Sequence, residues 1–295
     1  MLKLLGVYKN GNYTVKILSD GTKIRETEGD EFIPSFAENC DVKITDKCNG
    51  GCPFCYEGCT PNGKHGDILN YKFLDTLHPY TELAINGNDL SHPDLLVFLQ
   101  KMKDKNIIVN MTVNQIHFEQ NYSLIRTLVG QKAIYGLGIS LREPTEKFVN
   151  MVKRIPNAVI HVINGVLSSD DYEMLKDNEL KVLILGYKNL RRGVDYYDSN
   201  EIDIHNKQEW LYANLEEMLN HFEVVSFDNL AIEQLKVKRL LNDEQWNDFY
   251  MGDDGNYTFY IDIVEGTFGK NSLATVRYPI MDSIDEMFQK IKSKA

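Results

Sequence analysis

From Asp41 to about residue 222 the chain alternates apolar runs of four to eight residues with amphipathic stretches, a rhythm that few folds satisfy. Strands are predicted near 41–45, 82–86, 107–113, 134–140, 158–164 and 181–187. Helices are predicted at about 69–77, 93–104, 119–130, 145–154, 170–177 and 207–221. Six such units imply an α/β fold with a parallel sheet and right-handed crossovers. The sheet is either open and doubly wound or curved into a partial barrel, because the apolar period is the same in both. Residues 1–38 read as a small β appendage, with strands at Leu2–Tyr8 and Tyr13–Leu18 and turns at Lys9–Asn12 and Ser19–Gly21. Beyond residue 223 the alternation lapses into a strand at Val224–Phe227, a helix at Asp243–Tyr250 and a hairpin of Tyr257–Ile263 with Gly266–Lys270. The expected organisation is therefore an appendage at 1–38, a core at 39–222 and an extension at 223–295.

Chemistry concentrates just after the first predicted core strand, at Cys48-Asn49-Gly50-Gly51-Cys52-Pro53-Phe54-Cys55. Three thiolates on one glycine-loosened turn can hold three irons of a cubane cluster and leave the fourth without a protein ligand. A four-cysteine zinc site usually splits its ligands into two separated C-x2-C knuckles, whereas Cys48, Cys52, Cys55 and Cys59 crowd one loop. The two-cluster ferredoxin run needs a first gap of two and a proline after its last cysteine, and here Thr60 follows Cys59. A disulfide framework suits a short secreted chain, and this one has 295 residues, five cysteines and no secretory leader. A non-catalytic zinc or structural iron-sulfur module stays open as the alternative of another class.

The C-x3-C-x2-C spacing, with the aromatic Phe54 directly before the last cysteine, resembles the cluster loop of the radical SAM superfamily. The resemblance covers roughly residues 40–190 and implies a partial (β/α)6 TIM-type barrel whose cluster loop follows its first strand. It implies a [4Fe-4S] cluster on Cys48, Cys52 and Cys55, with the open iron chelating S-adenosyl-L-methionine. Reductive cleavage of that molecule would yield a 5'-deoxyadenosyl radical that abstracts hydrogen from a substrate. A low-potential electron donor such as flavodoxin or ferredoxin is implied with it.

In parallel α/β folds the working residues lie at the carboxyl ends of strands. The second strand ends in Asn86-Gly87-Asn88-Asp89, which aligns with the family's Gly-Gly-Glu-Pro segment, the binder of the methionine ammonium. Asn86 replaces the first glycine, Asn88 the glutamate and Asp89 the proline, so an amide carbonyl stands where a charged acceptor is usual. Thr112-Val113-Asn114 resembles the family's Thr-Asn-Gly, which shapes the pocket. Ser140 suits a ribose hydroxyl, and Arg142 a carboxylate through its planar fork, unless it pairs with Glu143 or Glu146 at the surface. Asn164 is the candidate for a ribose or carboxylate contact, while His161 reads as a satisfied mid-strand histidine. Gly186 permits close approach of adenine and Phe54 packs beside it. No catalytic side chain is named by these patterns.

Thr60–Gly66 reads as a polar loop or lid near the cluster, with Lys64 and His65 facing substrate, or as a solvated connection. Met251–Tyr257 resembles the β-turn-β start of C-terminal extensions in peptide-modifying radical SAM enzymes, though no cysteine follows Cys59 to hold an auxiliary cluster. A peptide or protein is therefore the expected substrate, received by pairing to the hairpin's edge strand, with a small metabolite or nucleotide as the alternative. A net charge of -11 disfavours nucleic acid, which asks for Lys and Arg along its phosphates, although Arg191-Arg192 forms a local basic patch. No apolar run is long enough to span a bilayer, and a reducing, cytoplasmic setting is expected.

Overall fold

The computed structural model describes residues 2–293. Strands β1 (Leu4–Asn10), β2 (Tyr13–Leu18) and β3 (Lys23–Thr27) form an antiparallel sheet of their own. The third of these carries no apolar alternation, which is why the sequence pattern missed it. Strands β4 (Asn39–Lys43), β5 (Glu82–Asn88), β6 (Ile108–Asn114), β7 (Gly136–Ser140), β8 (Ala158–Ile163), β9 (Lys181–Leu185) and β10 (Val224–Phe227) pair in parallel, each beside its successor. The order never reverses, so the doubly wound alternative falls: right-handed crossovers stepping always one way put their helices on one face.

Helices α1 (Leu95–Asp104), α2 (Gln115–Gln120), α3 (Tyr122–Gly130), α4 (Glu146–Val152), α5 (Ser169–Leu175) and α6 (Arg192–Met218) make those crossovers, followed by α7 (Asn229–Leu235), α8 (Asp243–Phe249) and α9 (Ile284–Lys292). Alternate strand residues such as Ile85, Met111, Ile139, Ile160 and Val182 share one core with Phe98, Phe118, Phe148 and Leu215 of the helices. Their neighbours in the strands, including Thr112, Ser140 and His161, keep part of their surface open on the opposite face.

Three helical expectations are corrected. The stretch 69–77 holds only a 3-10 turn at Lys72–Asp75, preceded by a turn in which the Asp67 carboxylate accepts the Leu69 and Asn70 amides. The helix expected at 119–130 is two, broken at Asn121, whose side chain donates to the His117 carbonyl. The helix expected at 207–221 begins at Arg192 and bends at Asn200, which has φ -136° and ψ 23°.

Strand β11 (Thr258–Asp262) inserts beside β4 in parallel, and β12 (Thr267–Gly269) and β13 (Tyr278–Pro279) continue the sheet antiparallel. The hairpin's second strand is therefore paired on both sides. The outer position belongs to a two-residue strand ending in Pro279, which lacks the amide that an added peptide strand would need. No pairing joins β10 to β13 among the described residues, so the ten-stranded sheet is not closed by hydrogen bonds. Contacts nevertheless run between its two sides. Lys188, just after β9, reaches Ser272 Oγ at 3.2 Å, and Asn229 at the start of α7 reaches Asp254, just before β11, at 2.7 Å.

The N-terminal sheet docks on the strands' amino ends. Arg25 makes two hydrogen bonds to Glu38, at 2.8 and 2.7 Å, Lys23 pairs with Glu38 and Glu82, and Tyr13 donates to Glu38 at 2.7 Å. Burial alone would lift the Glu38 carboxyl, but these donors and charges hold it below the usual range. Glu38 therefore contributes stability above the ordinary glutamate range, and the contribution is lost as pH falls through its depressed value. Glu38→Gln leaves Arg25 without its buried counter-charge, Lys23 keeping Glu82, and should cost about 3–5 kcal/mol in urea unfolding, with the acid limb of the stability profile flattened. An unchanged midpoint would remove Glu38 from the docking.

Candidate functional site

The loop leaving β4 begins and ends pinned to the same backbone. The Cys48 amide donates to the Thr60 carbonyl, the Thr60 amide to the Asp46 carbonyl and the Gly66 amide to the Ile44 carbonyl. Bridges pair Thr45 with His65 and Lys47 with Thr60. The His65 ring meets Thr45 Oγ1 at 2.8 Å, and burial, then the neighbouring His92, holds its pKa below normal. Thr60–Gly66 is thus the return leg of the cysteine loop, stitched down along its length. Gly51, at φ +64°, supplies the left-handed turn between the first two thiols.

Within this loop the Gly50 amide donates to Cys48 Sγ at 3.4 Å and the Asn114 amide to Cys52 Sγ at 3.1 Å. The Cys59 thiol donates to Cys55, and this bond, with Arg192 as a second donor, outweighs burial and brings the Cys55 pKa down to about 5. Cys59 is pushed far up by the same bond and by burial, and accepts the Asn88 amide at 3.4 Å. Burial raises the Cys48 thiol. Cys40 lies inside β4 at 3 % exposure, toward the strands' amino ends and away from this loop. Among the described residues no three Cys, His, Asp or Glu side chains converge on a single metal ion. A cubane does not ask for that, since each thiolate holds a different iron.

Two features that sequence patterns did not connect with the loop hold it. Lys43, at 3 % exposure, pairs with Asp46 at 2.5 Å, Glu57 at 3.3 Å and Asp262 at 3.3 Å, joining the loop to β11. The Arg191-Arg192 pair is not a free surface patch: Arg191 grips the Glu57 carbonyl and carboxylate, and Arg192 donates to the Cys59 carbonyl at 2.8 Å. Their position at the start of α6, on the connection that follows β9, was the available signal.

In the β5 segment the asparagine side chains are engaged by the loop. The Asn86 carbonyl accepts the Ile44 amide at 2.7 Å, and its amide donates to the Thr45 carbonyl at 2.9 Å. The Asn88 amide donates to the Thr45 and Lys47 carbonyls at 3.3 and 3.1 Å as well as to Cys59. Gly87 sits at a bulge, and a Cβ there would meet the Met111 side chain at 2.7 Å. Asp89 accepts both Ser91 donors. Both asparagines therefore lock the loop to β5, a function the sequence alignment with a glutamate did not suggest.

At the other strand ends polar atoms stand without partners among the described residues. Arg142 Nη1 is buried with no hydrogen bond, its guanidinium 5.9 Å from the Phe54 ring centroid. Asn164, at 2 % exposure, donates to Gln234 at 3.0 Å while its Oδ1 is unpaired. Ser140 ends β7 beside Asn114 and His161 in register. Phe54 and Gly186 line one cavity of about 20 Å³ with Tyr56, Ile163, Leu185, Tyr187 and Lys188, room for about one water. The back of Gly186 is filled by Leu230, which a Cβ would meet at 2.4 Å, so its glycine serves packing against α7. The structure thus brings Cys48, Cys52, Cys55, Phe54, Ser140, Arg142, Asn164 and Gly186 to one end of the sheet. There the arrangement can bind an anion at Arg142 and a hydroxyl donor at Asn164 Oδ1.

Neither a family model nor a curated protein sequence matches this chain. Its fold is similar to that of Streptococcus suis SuiB. With SuiB bound to the precursor peptide SuiA the TM-score is 0.57 at 13% identity, covering 87% of this chain and 65% of that one. With SuiB bound to S-adenosylmethionine it is 0.54 at 14%, covering 87% and 64%. This chain thus spans slightly less than two thirds of the length of SuiB, and at this identity the likeness speaks for the fold.

Proposed function

We propose that this chain is a radical SAM enzyme that acts on a peptide or protein, built on a partial (β/α)6-type barrel. The observation that carries the reading is the conjunction at one end of the sheet of a three-thiol loop with the unpartnered Arg142 Nη1 and Asn164 Oδ1. Curvature is supported by the Lys188–Ser272 contact, because a flat sheet would set β9 and β12 seven spacings, about 34 Å, apart. The neighbour's complexes with S-adenosylmethionine and with a precursor peptide support the cofactor and the substrate class.

Cys48, Cys52 and Cys55 would hold a [4Fe-4S] cluster, and the donor set fits it: a thiol with pKa near 5 at Cys55 and hydrogen bonds to the sulfurs of Cys48 and Cys52. With a low-potential electron donor such as flavodoxin or ferredoxin, cluster and S-adenosylmethionine together supply a 5'-deoxyadenosyl radical. Arg142 would pair with the methionine carboxylate, Asn164 Oδ1 would accept a ribose hydroxyl and Ser140 would stand beside it. Phe54 and Gly186 would flank adenine, and since their cavity now admits about one water, Phe54 must swing to admit a purine. Asn86 and Asn88 hold the loop still.

Anaerobic reconstitution with iron and sulfide tests the reading. Brown protein with about four irons per chain, forming 5'-deoxyadenosine from SAM under reduction, is the expected result. Colourless protein with one zinc per chain would overturn it. Arg142→Leu should weaken SAM binding by about 10- to 100-fold, the worth of one or two charge-assisted bonds, with iron content unchanged. Equal affinity in calorimetry would assign the carboxylate to another donor.

A further inference from the structure

Three polar side chains on the face opposite the helices, Thr112 on β6, Ser140 on β7 and His161 on β8, make no side-chain hydrogen bond among the described residues. His161 differs in this from the other histidines. His65 meets Thr45, His78 meets Asp285, His92 the Gly66 carbonyl, His117 Gln120, His205 Tyr197 and His221 Asp177. The reading of His161 as a satisfied mid-strand residue finds no protein partner for its ring among the described residues, and the half-buried ring is left to solvent or a ligand.

Its setting is specific. A Cβ on Gly138 would lie 2.4 Å from His161 Cε1, 2.5 Å from its Nε2 and 2.7 Å from Thr112 Oγ1. The ring edge and the hydroxyl thus flank the same point above Gly138, one side-chain layer deeper than Ser140 and Asn114, and only glycine leaves that point open. The residue is half-buried, and burial, the one cause of the shift, lowers its pKa to about 4. No neighbouring charge contributes to that shift, so the imidazole is neutral in an uncharged setting.

We propose that His161 and Thr112 form a substrate contact, one that receives an uncharged group able to donate and accept hydrogen bonds, such as a peptide amide. A neutral imidazole offers one donor and one acceptor, and a hydroxyl adds both. A carboxylate or ammonium would find no counter-charge here and would lose its hydration. The proposal rests on the peptide-modifying reading for the reaction that follows and on the geometry above for the contact itself.

The test uses the full chain labelled with [13Cε1]histidine, the His161 resonance being assigned through His161→Gln. Addition of N-methylacetamide, a neutral amide, should shift that resonance, and acetate or methylammonium at equal concentration should not. A resonance that ignores N-methylacetamide, that follows the charged probes equally, or that answers to SAM alone overturns the proposal. As a second readout, His161→Leu should raise the melting temperature by about 2 °C or more, because an unpartnered polar ring is replaced by an apolar group. A fall would mark the ring as structural and overturn the contact. Neither readout needs a cluster or SAM cleavage, so a failed reconstitution strikes the proposed reaction and leaves this contact to be judged separately.

Discussion

Alanine at Cys48, Cys52 or Cys55 should each abolish the visible absorption of reconstituted protein and reduce 5'-deoxyadenosine formation to background. Each of these thiols would be the sole protein ligand to one iron, and no spare thiol replaces it. Cys59 lies nearby, but its sulfur faces Cys55 and the Asn88 amide at 5 % exposure. Cys59→Ala should retain iron content and the spectrum. It removes the largest contribution to the low Cys55 pKa, so its expected effect is on the reduction potential of the cluster, since hydrogen bonds to the sulfurs tune that potential. Iron lost from Cys59→Ala but retained in one of the other three variants would show that the ligand set is different.

The second large effect is expected at Lys43. Replacing this lysine by methionine keeps most of the volume and leaves Asp46 and Asp262 without their shared cation, with only Arg191 still beside Glu57. Such a loss costs about 3–5 kcal/mol, because the remaining charges are partly desolvated. The urea midpoint should fall with an unchanged m-value, and proteolysis should accelerate within residues 46–66, since Lys43 ties that loop to β11. Asp262→Asn, which removes one of three partners, should cost less. Equal stability of Lys43→Met and the parent would show that the carboxylates find water or protons instead.

How far these sites were legible in the sequence depends on the range of the interactions that make them. The thiol spacing is a matter of eight adjacent residues, and Cys48, Cys52 and Cys55 could be assigned as a set without knowledge of the fold. Arg142 and Asn164 were nominated by a rule about strand ends, which needs only the strand boundaries. Asn86 and Asn88 were read toward a ligand because alignment supplies a position and no partner. Their amides were claimed by carbonyls more than 40 residues away in sequence. The Arg191-Arg192 pair looked like a surface patch for the same reason: the Glu57 and Cys59 carbonyls it grips lie more than 130 residues earlier.

What the sequence alone determined is therefore the local material: the strand and helix alternation from Asp41, the hairpin at Tyr257–Lys270 and the cysteine loop. Each depends on backbone and side-chain periods that repeat within a few residues. Tertiary structure decided that the strand order never reverses and that β11 enters the sheet beside β4. It also decided that Thr60–Gly66 is a stitched return leg and that His161 is left without a partner over Gly138. These outcomes turn on which distant backbone groups are still free when a segment arrives. No local pattern encodes that, because every buried amide and carbonyl must be matched once across the whole chain.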